Sequence, residues 1–189
     1  MFNRCRLLLA GLAIVALAPS LACAREAKSP DFTAVDLQSK GLVLLSTSAA
    51  KTSRASATAL DLERVVMKNG KRTFKKVDTF FMDNPVIKSD STTEQMNAHW
   101  RALEPGEYRL KQVPVNPFDC ILHAMTMPFT ITAGQLLYLG EWRVAKGEIT
   151  RQDNYARDYT LFESKSKGEK PAAFTPLVIV PVFEDHNCP

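Results

Sequence analysis

Two short stretches hold most of the side chains able to do chemistry, Asp119-Cys120-Ile121-Leu122-His123 and Glu184-Asp185-His186-Asn187-Cys188. If Cys120 and Cys188 lie close in the fold, two histidines and several carboxylates gather around a pair of sulfurs. Three chemistries then compete. Cys120 with His123, and His186 with Cys188, supply the donor set of a Cys₂His₂ zinc site, although His-x-Cys is a short spacing for zinc. Cys120 beside His123 has the parts of a thiolate nucleophile and its base. The third option is a structural disulfide among polar loop residues, which an oxidising compartment favours. The Cys120–Cys188 disulfide is the expectation. An exported hydrolase using His123 or His186 with Asp119 or Asp185, and a metal-binding periplasmic protein, stand as alternatives. The remaining histidine, His99, sits beside Trp100 with no carboxylate near it in sequence and reads as a structural side chain.

Established catalytic signatures are missing from the chain. It has no Gly-x-x-x-x-Gly-Lys, Gly-x-Gly-x-x-Gly, His-Glu-x-x-His or Gly-x-Ser-x-Gly, and its eight glycines do not cluster as a phosphate cradle. No catalytic set, resident metal or cofactor is therefore assigned.

The compartment argument rests on the first residues. Met-Phe-Asn-Arg-Cys-Arg is a short positive segment, Leu7 to Ala18 is an uncharged apolar run, and Pro19 leads to small residues ending in Ala22-Cys23-Ala24. That is the plan of a secretory signal peptide over residues 1–24, cleaved between Ala24 and Arg25. As a helix the run spans only about 18 Å, short of a bilayer core of about 30 Å. No later stretch could span, so no transmembrane segment is expected in the mature chain. Leu21-Ala22-Cys23 also partly matches a bacterial lipoprotein signal, which makes lipidation of Cys23 the alternative to its removal. A periplasmic or secreted protein is expected, or a membrane-anchored lipoprotein. Cys5 leaves with the signal peptide and Cys23 leaves or is lipidated, so Cys120 and Cys188 remain as the one pair of the four cysteines.

Composition agrees with a folded, soluble domain: 46% hydrophobic and 23% charged residues exclude disorder and a polytopic membrane protein. The formal charge of +4 shrinks once Arg4 and Arg6 depart, leaving 22 basic against 20 acidic side chains. That balance argues no polybasic surface and no nucleic-acid partner.

Short strands must position these residues. Residues 25–40 form a polar lead-in, and residues 41–189 the folded domain. Gly41 to Ser48 is an apolar run that predicts a buried strand. Two strands flank Asn69-Gly70, a pair suited to the left-handed angles of a type I′ hairpin turn. Lys68, Lys71, Arg72, Lys75 and Lys76 cluster there. The cluster suits phosphate or an anionic membrane, but the simpler reading is a solvated tip whose lysines discourage edge pairing. Ser91-Thr92-Thr93-Glu94 has the spacing of a helix capping box, yet Met96, Ala98, Trp100 and Ala102 alternate as a strand does, and a strand is expected over 96–103. Further strands follow the Pro105-Gly106 turn, run around Phe129–Thr132, follow Ala133-Gly134 over 135–144, and cover 149–151. Asn154 to Lys165 predicts a helix, capped by Asp153 or Asn154, with Tyr155, Tyr159 and Phe162 on its core face. Leu177 to Phe183 predicts a last strand that Pro181 places at an edge or a bulge. The pattern predicts a mainly β protein, a single antiparallel β-sandwich with one helix towards the C-terminus.

Leu103 to Leu110, Phe129-x-Ile131-x-Ala133-Gly134 and Tyr138-Leu139-Gly140 carry a resemblance. A proline-glycine turn into Gly-x-Tyr, then a strand entering Ala-Gly and returning through Tyr-x-Gly, resembles small bacterial envelope proteins of unknown function. Those are similar to PEGA-type and prealbumin-like β-sandwich modules. The resemblance covers about a quarter of the mature chain. It implies an exported sandwich, transfers no catalytic residue, and suits a non-catalytic protein that binds or supports another envelope component.

Overall fold

The computed structural model describes residues 36–49, 58–82, 88–115, 121, 123–145, 148–166, 174–177 and 181–185. Their elements are β1 (Gly41–Ala49), β2 (Thr58–Lys68), β3 (Lys71–Phe81), β4 (Gln95–Leu103), β5 (Gly106–Pro114), β6 (His123–Ile131), β7 (Leu136–Ala145), β8 (Glu148–Gln152), α1 (Tyr155–Lys165), β9 (Thr175–Pro176) and β10 (Val182–Asp185). The described residues are mainly β, with two sheets and one helix towards the C-terminus. Sheet A runs β4-β1-β7-β8 with β9 also on β7, and sheet B runs β10-β6-β5-β2-β3.

The expected antiparallel arrangement holds for sheet B and fails for sheet A. β1 pairs antiparallel with β4 but parallel with β7, Leu42 meeting Leu136 and Ala49 meeting Val144. The physical reason lies in β1 itself, all nine residues of which are buried. A strand covered on both faces can be central in a mixed sheet, and its continuous Leu-Val-Leu-Leu-Ser-Thr-Ser run records that double burial. Val43 and Leu45 join Leu60, Leu62, Phe80, Leu110, Met127 and Ile131 in the core between the sheets. Leu42 and Leu44 face the other way, into a second cluster with Trp100, Tyr138, Phe162 and Phe174. The helix α1 therefore covers the outer side of sheet A, giving three layers: helix, sheet A, sheet B.

Local expectations met varied outcomes. Asn69 (φ 53°) and Gly70 (φ 72°) make the left-handed hairpin turn. The Pro105-Gly106 turn is pinned by Tyr108, whose hydroxyl donates to the Glu104 carbonyl at 2.7 Å. Around Ser91 only half of a capping box forms: the Thr93 and Glu94 amides donate to its Oγ at 3.2 and 3.4 Å, but the Ser91 amide donates to Ser89 Oγ, the Glu94 carboxylate pairs with Arg143, and no helix follows. The alternation of residues 96–103 wins because it buries Met96, Ala98 and Trp100 as β4. Of the expected last strand, residues 178–180 lie outside the described residues; its final residues, Val182 and Phe183, belong to β10, which runs on to Asp185. Pro181 leads into β10, which is an edge strand as anticipated.

Candidate functional site

A network of charged side chains that the fold brings together lies under α1, on sheet A. A bulge builds the site. Leu44 pairs with Tyr138 and Ser46 with Glu141, so β7 carries one extra residue opposite Leu45. Gly140 supplies the left-handed angle this needs, φ 95°. A Cβ there would also meet Arg151 Nε at 2.7 Å, where that side chain crosses over to donate to the Leu139 carbonyl at 2.8 Å. Because strand side chains alternate, one inserted residue turns Glu141 to the same face as Tyr138. Ser46 and Ser48 of β1 share that face, and α1 lowers Arg157 and Asp158 onto it.

Asp158 and Glu141 are both 0% exposed. Asp158 Oδ2 accepts from Ser46 Oγ at 2.6 Å and from the Tyr138 hydroxyl at 2.8 Å. Its Oδ1 accepts from Arg157 Nη2 at 2.7 Å and Nε at 2.9 Å. Glu141 accepts from Ser48 Oγ on one oxygen and from Asn154 Nδ2 on the other, and Arg157 Nη2 lies 3.1 Å from it. Arg157 Nη1 also lies 3.9 Å from Glu94, which in turn pairs with Arg143 at 2.5 Å. Asn154 thus spends its side chain on Glu141 and makes no cap bond; the Tyr155 amide donates instead to Asp153 Oδ1 at 3.1 Å.

The electrostatics follow from these partners. Burial alone pushes the Glu141 carboxyl up, but the hydrogen bonds from Ser48 and Asn154 and the charge of Arg157 outweigh it and hold the group below its ordinary value. Burial and the neighbouring Asp158 push the Tyr138 phenol well above its ordinary value, so it stays a donor. Burial works against the Arg157 charge, yet the bonds and charges of Asp158 and Glu141 raise it on balance. Each of the four carboxylate oxygens of Glu141 and Asp158 has a donor from this chain. The arrangement fixes two anions and a cation in place and joins helix to sheet.

The residues singled out in the sequence are distributed differently. His99 is buried, its Nε2 3.0 Å from Thr47 Oγ1 and its ring 5.1 Å from Phe80, on the opposite face of sheet A. His123 opens β6 and Asp185 closes β10, and the backbone register sets them opposite one another. Asp119, Cys120, His186 and Cys188 lie outside the described residues, as do Cys23, Ala24 and Arg25. Among the described residues no group of three histidine, cysteine, aspartate or glutamate side chains is placed to hold a metal, and no helix is long and apolar enough to cross a membrane. The network under α1 was not anticipated. Its one sequence trace is the change from leucine to Ser46-Thr47-Ser48 within a strand read as buried, since buried hydroxyls need partners. Compared with known protein families, with curated proteins and with solved structures, the chain matches none.

Proposed function

We propose that the protein is an exported, non-catalytic cell-envelope component, a β-sandwich related in kind to the PEGA-like and prealbumin-like modules, that binds or supports another envelope protein or ligand. The observation that carries the reading is the buried network. The carboxylates Glu141 and Asp158, which a general-acid mechanism would need free, are consumed in fastening α1 to sheet A. The leader-like residues 1–24 support export, with Cys23 as a lipid anchor in the alternative. The direct test is crosslinking in the envelope fraction followed by capture of this chain. A reproducible partner is expected; no partner, together with turnover of an envelope substrate by the pure protein, overturns the reading.

The same proposal includes a Cys120–Cys188 disulfide. The β6–β10 pairing supports it: partners run from Thr126 with Val182 to His123 with Asp185, and Cys120 stands three residues before His123 as Cys188 stands three after Asp185. Directly opposed antiparallel residues have Cα atoms about 4.5–5.5 Å apart, within the roughly 4.4–6.8 Å that a disulfide accepts. A bridge in line with that register would close a loop worth roughly 4 kcal/mol in chain entropy. Peptide mapping of the unreduced protein is expected to recover the linked pair. Two alkylatable thiols, or stoichiometric zinc released by a chelator, refute it.

One observation favours a second reading, an exported hydrolase built on His123 or His186 with Asp119 or Asp185: the register that sets His123 opposite Asp185. Loss of a hydrolytic activity in His123→Ala and Asp185→Ala, with melting unchanged, would select it.

A further inference from the structure

The edges of the two sheets are finished differently. β4 ends sheet A, and its outward groups are already spent. The Met96 amide donates to Ser89 Oγ at 3.0 Å, the Ala98 amide to Asp90 Oδ2 at 3.0 Å, and the Met96 carbonyl accepts from the Asp90 amide at 2.7 Å. The edge strands β8, β9 and β10 offer only five, two and four residues. β3 is the outermost strand of sheet B, runs for 11 residues and has no strand on its far side among the described residues. Which groups it leaves open follows from the turn. Lys68 and Lys71 flank the two-residue Asn69-Gly70 loop, so theirs is a pair that exchanges both backbone bonds. The alternation continues with Val66 on Thr73 and Arg64 on Lys75, and it turns the amides and carbonyls of Arg72, Phe74 and Lys76 away from β2. The extra residue Val77 ends this regular stretch.

Charge marks the same stretch. Lys71 to Lys76 reads Lys-Arg-Thr-Phe-Lys-Lys, four cations and no acid. The pleat sorts them by face. Arg72 and Lys76 share the face of Phe74, where Glu107 and Asp61 of the sheet hold them at 2.5 and 2.8 Å. Lys71 and Lys75 lie on the opposite face with Thr73 between them. Both are exposed and have no ion-pair partner among the described residues.

We infer that the outer edge of β3, from Lys71 to Lys76, is a strand-addition site for an acidic, extended segment of a partner protein. Backbone bonds to Arg72, Phe74 and Lys76 supply affinity, and the side-chain pattern supplies specificity. In an antiparallel ladder the partner residues opposite Lys75 and Lys71 stand four apart, in the pairs whose side chains approach most closely. Carboxylates there complete two opposite-charge pairs, and the residue opposite Phe74 is an apolar neighbour. The same cations reject a second copy of this chain. β3 laid antiparallel on β3 sets lysine and arginine against one another, and like charges opposed across strands are unfavourable. An open backbone that repels its own kind selects an acidic strand. The inference rests on the proposed binding of another envelope protein and names the surface used and the chemistry of that partner.

The probe is a fluorescent peptide with glutamates four positions apart and valine and threonine between them; versions with glutamine or lysine at both positions are its controls. Anisotropy with the chain as recovered from the cell should show the glutamate peptide bound, the glutamine peptide about tenfold weaker and the lysine peptide weaker still. K71E/K75E should reverse that order. Phe74→Pro deletes an outward amide that β2 does not use, so circular dichroism should show the fold kept. Its binding should fall about tenfold, whereas Phe74→Ala, which keeps the amide, should lose far less. A glutamate peptide that does not bind, a glutamine peptide that binds equally, or a folded Phe74→Pro chain that binds as wild type overturns the inference. Should Phe74→Pro not fold, the K71E/K75E variant decides alone, and an unreversed order overturns it. In the envelope fraction, crosslinks kept by K71E/K75E place the partner on another surface and refute this edge while the proposed function stands. A wild-type chain with no envelope crosslink refutes the proposed function and this inference with it.

Discussion

The inner face under α1 and the outer face of sheet B use the same chemistry to opposite ends. Under α1, Arg157 meets Asp158 at 2.7 Å and Glu141 at 3.1 Å, and both carboxylates are 0% exposed. On the outer face Arg72 meets Glu107 at 2.5 Å, with the two side chains 60% and 57% exposed. Distance does not separate these pairs; water does. A buried anion stripped of one partner has nothing to replace it, so removal is expensive even where the intact pair adds little net stability. An exposed pair exchanges its partner for solvent at almost no cost. The inner face is therefore committed to architecture, and the outer face keeps its charges available.

Substitutions sharpen this contrast. The largest effect is expected from Asp158→Ala, which leaves Ser46, Tyr138 and Arg157 facing a vacated buried site: a loss of about 3–5 kcal/mol in urea unfolding. Asp158→Asn, which keeps an acceptor, should lose less. A loss under about 1 kcal/mol would erase the distinction between the two faces. Gly140→Ala comes next. A left-handed angle costs an L-residue about 1–2 kcal/mol, and the added methyl must also displace Arg151. Thermal melting should show at least that loss, whereas Gly70→Ala, with nothing near its missing side chain, should cost the angle alone.

A pH titration separates the faces further. Glu141 is held below its ordinary value of 4.5 in the folded state. Between the folded and unfolded values the unfolded chain binds more protons, so stability rises with pH there. The contribution of Glu141 is complete above about 4.5 and fades as pH falls through the folded value. Glu141→Gln should lower stability at neutral pH and flatten the acid limb of the stability curve; an unchanged slope would remove Glu141 from the account. The smallest effect belongs to Arg72→Ala, which should shift unfolding by no more than about 0.5 kcal/mol.

What the sequence made legible follows from the range of the interactions involved. The Asn69-Gly70 hairpin, the buried run of β1 and the aromatic face of α1 rest on neighbours within a few residues, and each was readable. Phe162 meets Trp100 edge-on at 5.3 Å and Phe174 at 5.2 Å and is core, with Tyr155 and Tyr159 half-buried against the same cluster. The capping-box spacing at Ser91 was also real chemistry, but a local turn of hydrogen bonds could not outweigh the burial of β4. The parallel β1–β7 pairing and the network under α1 were not legible, because Ser46 and Asp158 lie 112 residues apart and Ser48 and Glu141 lie 93 apart. Nothing near Glu141 announces that a one-residue bulge will turn it towards a helix. Of the constellation legible around His123 and Asp185, the β6–β10 register sets those two backbone positions opposite one another, while Asp119, His186 and both cysteines lie outside the described residues.

The double burial of β1 has a consequence for how the molecule assembles. β1 precedes every other strand of the described fold, yet its antiparallel neighbour, its parallel neighbour and its helical cover lie in β4, β7 and α1. A chain emerging from its amino end therefore presents Gly-Leu-Val-Leu-Leu-Ser-Thr-Ser-Ala long before it can be enclosed. Contacts this distant in sequence make for slow folding, and apolar strands left waiting are where aggregation starts. The β2–β3 hairpin, closed by its own turn, can form early; sheet A must wait for Tyr138, Glu141 and finally Asp158. Its completion is a late step, and a chain interrupted before α1 would leave its central strand uncovered.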